Sequence, residues 1–270
     1  MPFTLSHAAA ALPFRKLKPI WPALVMGTFA PDLQYFIWIS DEDRSGHHFP
    51  GVVLLTLPLA LSLLWIFERI VKRPVIELLP GGLQRRLQDK MEPLSFAGWG
   101  RFRSILLWMA VGILTHVVWD SFTHSQTWIF DHWTALSYWV PLPFPHPMTV
   151  VQLLQYASTL LGLVVLAIWL AAWYRRAAPR PSSNLLEFSP LVKAALICGM
   201  VNIASVGGYC YARLLLSGYQ EPLSRSFLIA TLFEAIIFVF CIELVVYGLA
   251  FRLVSRTRRL PAREFDETLR

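Results

Sequence analysis

Long apolar runs separated by short polar connections dominate the chain. Four of them, residues 51–71, 104–122, 150–173 and 227–251, have the roughly 20 apolar residues that a helix needs to cross a hydrocarbon core. A fifth, 191–216, keeps that length although Lys193, Asn202, Gly207 and Gly208 interrupt it. Residues 22–39 are apolar too, but Gly27 and Pro31-Asp32 break the run near its middle. That stretch stays open between a sixth span and a broken, partly embedded hairpin. The pattern predicts an all-α, polytopic integral membrane helical bundle with five clear spans.

Composition agrees: 56% of residues are apolar and 15% charged, with a mean hydropathy of +0.51. Arg15 follows the apolar run 8–12 instead of preceding it, so the N-terminus does not read as a cleavable signal peptide, and the spans themselves are expected to direct insertion. Cys198, Cys210 and Cys241 fall inside predicted spans without C-x-x-C spacing and read as packing residues.

Charge sets the expected orientation. Residues 72–103 carry Lys72, Arg73, Arg85, Arg86, Lys90, Arg101 and Arg103, whereas residues 125–149 carry neither Lys nor Arg. Arg175, Arg176 and Arg180, and the tail with Arg252, Arg256, Arg258, Arg259, Arg263 and Arg270, fall on the side of the first group. By the positive-inside rule that side is cytoplasmic and 125–149 lies outside. The net charge of +7 is then mostly topological, and a nucleic-acid partner is excluded for want of a basic soluble domain. Arg15, Lys16 and Lys18 fit this scheme if 22–39 spans and break it if 22–39 only dips into the membrane.

Within the second span His116, Asp120 and His124 recur at four-residue intervals, which places them on one helical face. Ionisable groups in such a setting are costly and point to function. All seven histidines, at 7, 47, 48, 116, 124, 132 and 146, lie in the first 146 residues. His47 and His48 precede the first span on the expected outer side, where they can meet the His116 face; helix rise puts His116 about 12 Å deeper than His124. Imidazole and carboxylate donors of this kind suit zinc, or manganese and iron where carboxylates dominate. The bland alternative is hydrogen bonding between helices. His132 and His146 read as plain loop residues.

Four pieces extend this pattern: Thr4-Leu-Ser-His7 with 8–13, Gly27-Thr-Phe-Ala-Pro-Asp32, Gly46-His-His-Phe-Pro-Gly51, and Leu114-Thr-His-Val-Val-Trp-Asp120 with His124. Together they resemble a bacterial membrane family catalogued as domain of unknown function 4184. That family in turn resembles membrane-bound metal-dependent hydrolases and, more remotely, zinc-dependent phospholipase C. The likeness lies in the first half of the chain and implies His7, Asp32, His47 or His48, His116 and Asp120 as metal ligands. It also implies a bacterial inner-membrane location.

No Gly-x-Ser-x-Gly elbow, Walker sequence or H-E-x-x-H competes with a metal-dependent hydrolase. The expected substrate is a lipid, a lipid-linked phosphate or another envelope ester, met at the outer face. Trp128, Trp133, Tyr138 and Trp139, with prolines at 141, 143, 145 and 147, read there as an aromatic interfacial flap or an ordinary aromatic belt. A non-enzymatic metal-binding role, in sensing, transport or structure, is the alternative. Glu234, about 10 Å into the last span, is the candidate general base or hydrogen-bond partner of a metal-bound histidine. The organisation expected is a metal-site half, 1–146, and a three-span half, 147–270, with a basic tail.

Overall fold

The computed structural model describes residues 4–17, 20–33, 50–125, 127–141, 147–180, 188–218 and 224–257. The chain opens with a 3-10 helix, Thr4–Leu17, followed by α1, Trp21–Phe29. Then come α2, Val52–Leu78, α3, Gly81–Leu87, and α4, Trp99–Thr123. After the short α5, Trp128–His132, two-residue strands β1, Trp139–Val140, and β2, Met148–Thr149, pair antiparallel. The long helices α6, Val150–Arg176, α7, Pro190–Leu216, and α8, Arg225–Thr257, complete the chain. Among the described residues, five helices are long and apolar enough to cross a membrane. The protein is an all-α, multi-pass membrane protein.

The helices outrun the apolar stretches at their basic ends. α2 continues through Lys72–Leu78, α6 through Tyr174 to Arg176, and α8 past Phe251 to Thr257. Long basic side chains can lay their stems along the helix while the charge reaches water, which lets the helix persist past the apolar core.

Within residues 22–33 the run is broken: α1 holds nine residues, and at Ala30–Asp32 the chain tightens into a 3-10 turn. Pro31 has no N–H to continue the α-helical ladder, which accounts for the change. Residues 34–49 lie outside the described residues. The cysteines require a correction: all three are free and exposed on their helices instead of packed inside. As small, weakly polar residues they are tolerated on an apolar outer face.

The chain divides into two compact units, changing over between Leu64 and Trp65, Leu94 and Ser95, and Arg176 and Ala177. The first contains the N-terminal 3-10 helix, α1, the start of α2, α4, α5 and α6. Its centre is a close crossing of α1 on α4: a Cβ at Gly27 would lie 2.1 Å from the Met109 carbonyl oxygen, and one at Gly112 2.2 Å from that of Leu24. Small residues at such positions let helix backbones approach in a membrane. A second glycine, Gly162 near the middle of α6, receives Ser6 of the 3-10 helix, with an added Cβ 2.9 Å from the Ser6 carbonyl oxygen.

From Ser6 the 3-10 helix runs along α6 towards its basic end. Leu12 and Arg15 share a groove there with Ile168, Trp169, Trp173 and Arg176. The N-terminal charge of Arg15 therefore joins the Arg176 end of α6. The 3-10 helix folds back on α1 as a hairpin.

The second unit holds the end of α2 with α3, α7 and α8. α7 presents Ala204, Gly208 and Ala212 to α8, and a Cβ at Gly208 would lie 2.6 Å from the Ile236 Cα. Gly248 of α8 packs on the Ile70 carbonyl of α2. Buried Glu68 accepts from the Lys72 ammonium and from the Leu94 amide, tying the 79–94 connection back to α2.

Candidate metal centre

Three elements of the first unit bring five of the proposed ligands together. With three residues per turn, a 3-10 helix aligns positions i and i+3, so Thr4 and His7 project from one face. The α1 crossing carries Thr28 to α4, and the 3-10 turn behind it delivers Asp32. α4 supplies His116 and Asp120 one turn apart, and His124 follows at its extended C-cap.

The geometry is close. His7 Nε2 lies 3.3 Å from Asp120 Oδ1, and His116 Nε2 lies 3.1 Å from Asp120 Oδ2 and 3.4 Å from Asp32 Oδ1. His124 Nδ1 is 3.5 Å from Asp120 Oδ1. The His7 and His116 rings stack with centroids 4.0 Å apart, and Trp119 tilts against His7 at 5.2 Å. Both stacked histidines are fully buried, Asp32 is 3% exposed and Asp120 7%.

His116 and Asp32 are held from behind, and His7 is covered. His116 Nδ1 lies 2.8 Å from the Thr28 carbonyl oxygen, which can only accept, so Nδ1 carries the proton and Nε2 faces the carboxylates. Thr4 Oγ1 donates to Asp32 Oδ2 at 2.8 Å. The Trp119 indole donates to Ser158 Oγ on α6, fixing the ring that covers His7. Burial, followed by the neighbouring His116, pulls the His7 pKa down to about 4. Burial pushes the Asp32 carboxyl up, but hydrogen bonding and charge at His116 outweigh it, and the net direction is down.

A tetrahedral ion with bonds of about 2.0–2.1 Å keeps its ligand atoms about 3.3 Å apart. The individual pairs, at 3.1–3.5 Å, lie near that spacing, with Asp120 turning Oδ1 to His7 and His124 and Oδ2 to His116. One atom each from His7, His116 and Asp120 falls within 4.8 Å of the others. Neither ring nitrogen of His7 makes a hydrogen bond among the described residues. Imidazole and carboxylate groups so placed form a donor set able to hold a divalent cation.

His47 and His48 lie outside the described residues, as does His146. His132 caps α5 locally, its ring stacked on Trp128 at 4.3 Å and Nδ1 2.8 Å from the Trp128 carbonyl oxygen. Glu234 is half-buried on α8, in the second unit. Spacing within single helices did not point to the Thr28 carbonyl, to Trp119 or to the glycine contacts. The signal available for Thr4 was its i, i+3 relation to His7.

A family model described as "Domain of unknown function (DUF4184)" matches residues 1–250. The chain belongs to this family. The match continues well past the motif-bearing first half, so the later spans are part of the family's pattern. No curated protein and no solved structure matches the chain.

Proposed function

We propose that this member of the DUF4184 family is a membrane-embedded metal-dependent hydrolase. Its divalent ion, zinc by donor type, is held by His7, His116 and Asp120, with Asp32 and His124 alongside. The observation that carries the reading is His7: fully buried, without a hydrogen bond to either ring nitrogen among the described residues, and aimed at a carboxylate. Leaving a buried polar atom unsatisfied costs about 1–3 kcal/mol, a cost that a bound cation removes.

When bound, such an ion supplies a water activated near neutral pH and a Lewis acid for a phosphoryl or carbonyl oxygen. The Thr28 carbonyl orients His116, and Thr4 orients Asp32. His124, the most exposed of the five with 16% of its side chain accessible, is placed to exchange protons between Asp120 and the exterior. The aromatic surface of Trp128, Trp133, Tyr138 and Trp139, each more than half exposed, supports a lipid, lipid-linked phosphate or other envelope ester as substrate. In this reading the protein sits in the bacterial inner membrane with its site towards the extracytoplasmic end of α4.

A second reading rests on the closure of the cluster. With His7 and His116 fully buried, the ion would serve as a clasp joining the 3-10 helix, α1 and α4, without turnover. Metal analysis of purified protein, followed by a panel of phospholipids and lipid-linked phosphates with and without chelator, separates the two. Bound metal with turnover, both lost in His116→Ala and Asp120→Ala, is the hydrolase result. Metal whose removal lowers thermal stability without any turnover is the clasp. Protein that binds no divalent ion overturns both.

A further inference from the structure

In the second unit a cavity of about 490 Å³ opens between α3, the end of α2 and the first turns of α7. Its walls are largely apolar, with Leu78, Phe188 and Ile197 contributing, while Gln84, Arg85 and Lys193 supply the polar side. Lys193 is an unusual residue to find one turn into a membrane span, and its position is built. Its ammonium donates to the Leu79 carbonyl oxygen at 2.9 Å and to Gln84 Oε1 at 3.0 Å. Gln84 is buried and orients its amide by donating to Glu77 Oε2 at 3.2 Å.

The charges do not balance. Glu77 faces the Arg73 guanidinium at 3.8 Å, whereas both acceptors of Lys193 are neutral oxygens. Arg85, exposed on α3, has no acidic partner among the described residues, nor has Lys193. An ammonium has three N–H donors, and two are committed, which leaves one for a ligand. Among the described residues the cavity thus offers two cations and no carboxylate, beside an apolar wall at the end of two membrane spans.

We propose that this cavity binds the phosphate headgroup of an acidic phospholipid from the leaflet at the Pro190 end of α7. The Arg85 guanidinium and the remaining Lys193 proton take the phosphate oxygens, as an Arg–Lys pair does in general. The apolar wall takes the first carbons of the acyl chains. Basic pockets between membrane helices recognise lipid headgroups on this principle. Free phosphate shares the anionic chemistry but leaves the apolar wall empty, so the lipid is the better occupant.

The test uses the full chain in neutral detergent, with phosphatidylglycerol, phosphatidylcholine and inorganic phosphate as separate probes, read by native mass spectrometry and thermal shift. Phosphatidylglycerol is expected to remain bound and to raise the unfolding temperature, with phosphatidylcholine at least tenfold weaker. Arg85→Ala and Lys193→Met should each weaken phosphatidylglycerol binding about tenfold. Ala194→Trp, which fills the cavity and keeps both charges, should do the same, and Arg103→Ala should not. If Lys193→Met lowers the stability of the free protein, the exposed Arg85→Ala and the cavity-filling variant decide. Equal binding of the two lipids, or unchanged binding in Arg85→Ala and Ala194→Trp, overturns the proposal. Inorganic phosphate binding as tightly as phosphatidylglycerol, with the same dependence on Arg85, overturns the lipid assignment.

Discussion

The carbonyl oxygen of Thr28 lies 2.8 Å from His116 Nδ1, 88 residues away in sequence, and so decides which nitrogen of that ring meets Asp120. A side chain on the second span is set by a backbone group of a short, broken helix near the N-terminus. Removing the imidazole removes the ligand; moving α1 removes the orientation. The two kinds of change are separable by experiment.

Thr4 tests orientation at Asp32. Its hydroxyl donates to Asp32 Oδ2 at 2.8 Å, and losing a hydrogen bond behind a metal ligand typically costs about 10–100-fold in metal affinity. Thr4→Val should lower affinity within that range in competitive chelator titration, and Thr4→Ser should restore most of it. Equal affinities for all three proteins would remove Asp32 from the site.

Gly27 and Gly112 test the crossing. A methyl at either position meets backbone oxygen at 2.1–2.2 Å, and backbone cannot rotate away as a side chain can. Overpacking of this kind costs about 1–3 kcal/mol. Gly27→Ala and Gly112→Ala should lower the thermal midpoint in detergent and weaken metal binding together, because both act through the Thr28 and Asp32 positions. Gly100→Ala, with nothing within 4 Å of its new carbon, should leave both unchanged.

How much of this was legible follows from where the information resides. The spans and the basic and charge-free ends are written in local hydropathy and charge, which a membrane reads segment by segment. The His116, Asp120 and His124 face is written in a four-residue period within one helix. The N-terminal hairpin is not local: it depends on Gly27 meeting Gly112 and on Ser6 meeting Gly162, contacts between segments far apart in sequence. The unusual 14-residue 3-10 helix, which aligns Thr4 with His7, depends likewise on docking against α6. The first unit runs on to Arg176 because α6 packs on the first residues of the chain.

Glu234 tests the reaction. If it acts as general base, Glu234→Gln should reduce kcat by about 10²–10⁴-fold, the usual share of a positioned base, while metal content and thermal midpoint stay at the wild-type level. If the carboxyl only packs between helices, the midpoint changes and kcat follows stability. Unchanged kcat and unchanged midpoint would leave it without either role.

Sidedness can be read directly, and the structure improves the choice of positions. Ser137 is exposed in the charge-free segment before β1, and Lys90 is exposed in the basic connection after α3, its side chain 67% accessible. Cys198, Cys210 and Cys241 are exposed and free, so each is first replaced by serine. In that background Ser137→Cys should react with an impermeant maleimide added to intact cells, and Lys90→Cys should react only after the membrane is opened. The site lies nearer the Ser137 end: His116 and Asp120 occupy the last two turns of α4, and Trp119 bonds to Ser158 in the first half of α6. Labelling of Lys90→Cys but not Ser137→Cys in intact cells would therefore turn the metal centre towards the cytoplasm, and with it exclude a substrate drawn from the outer leaflet.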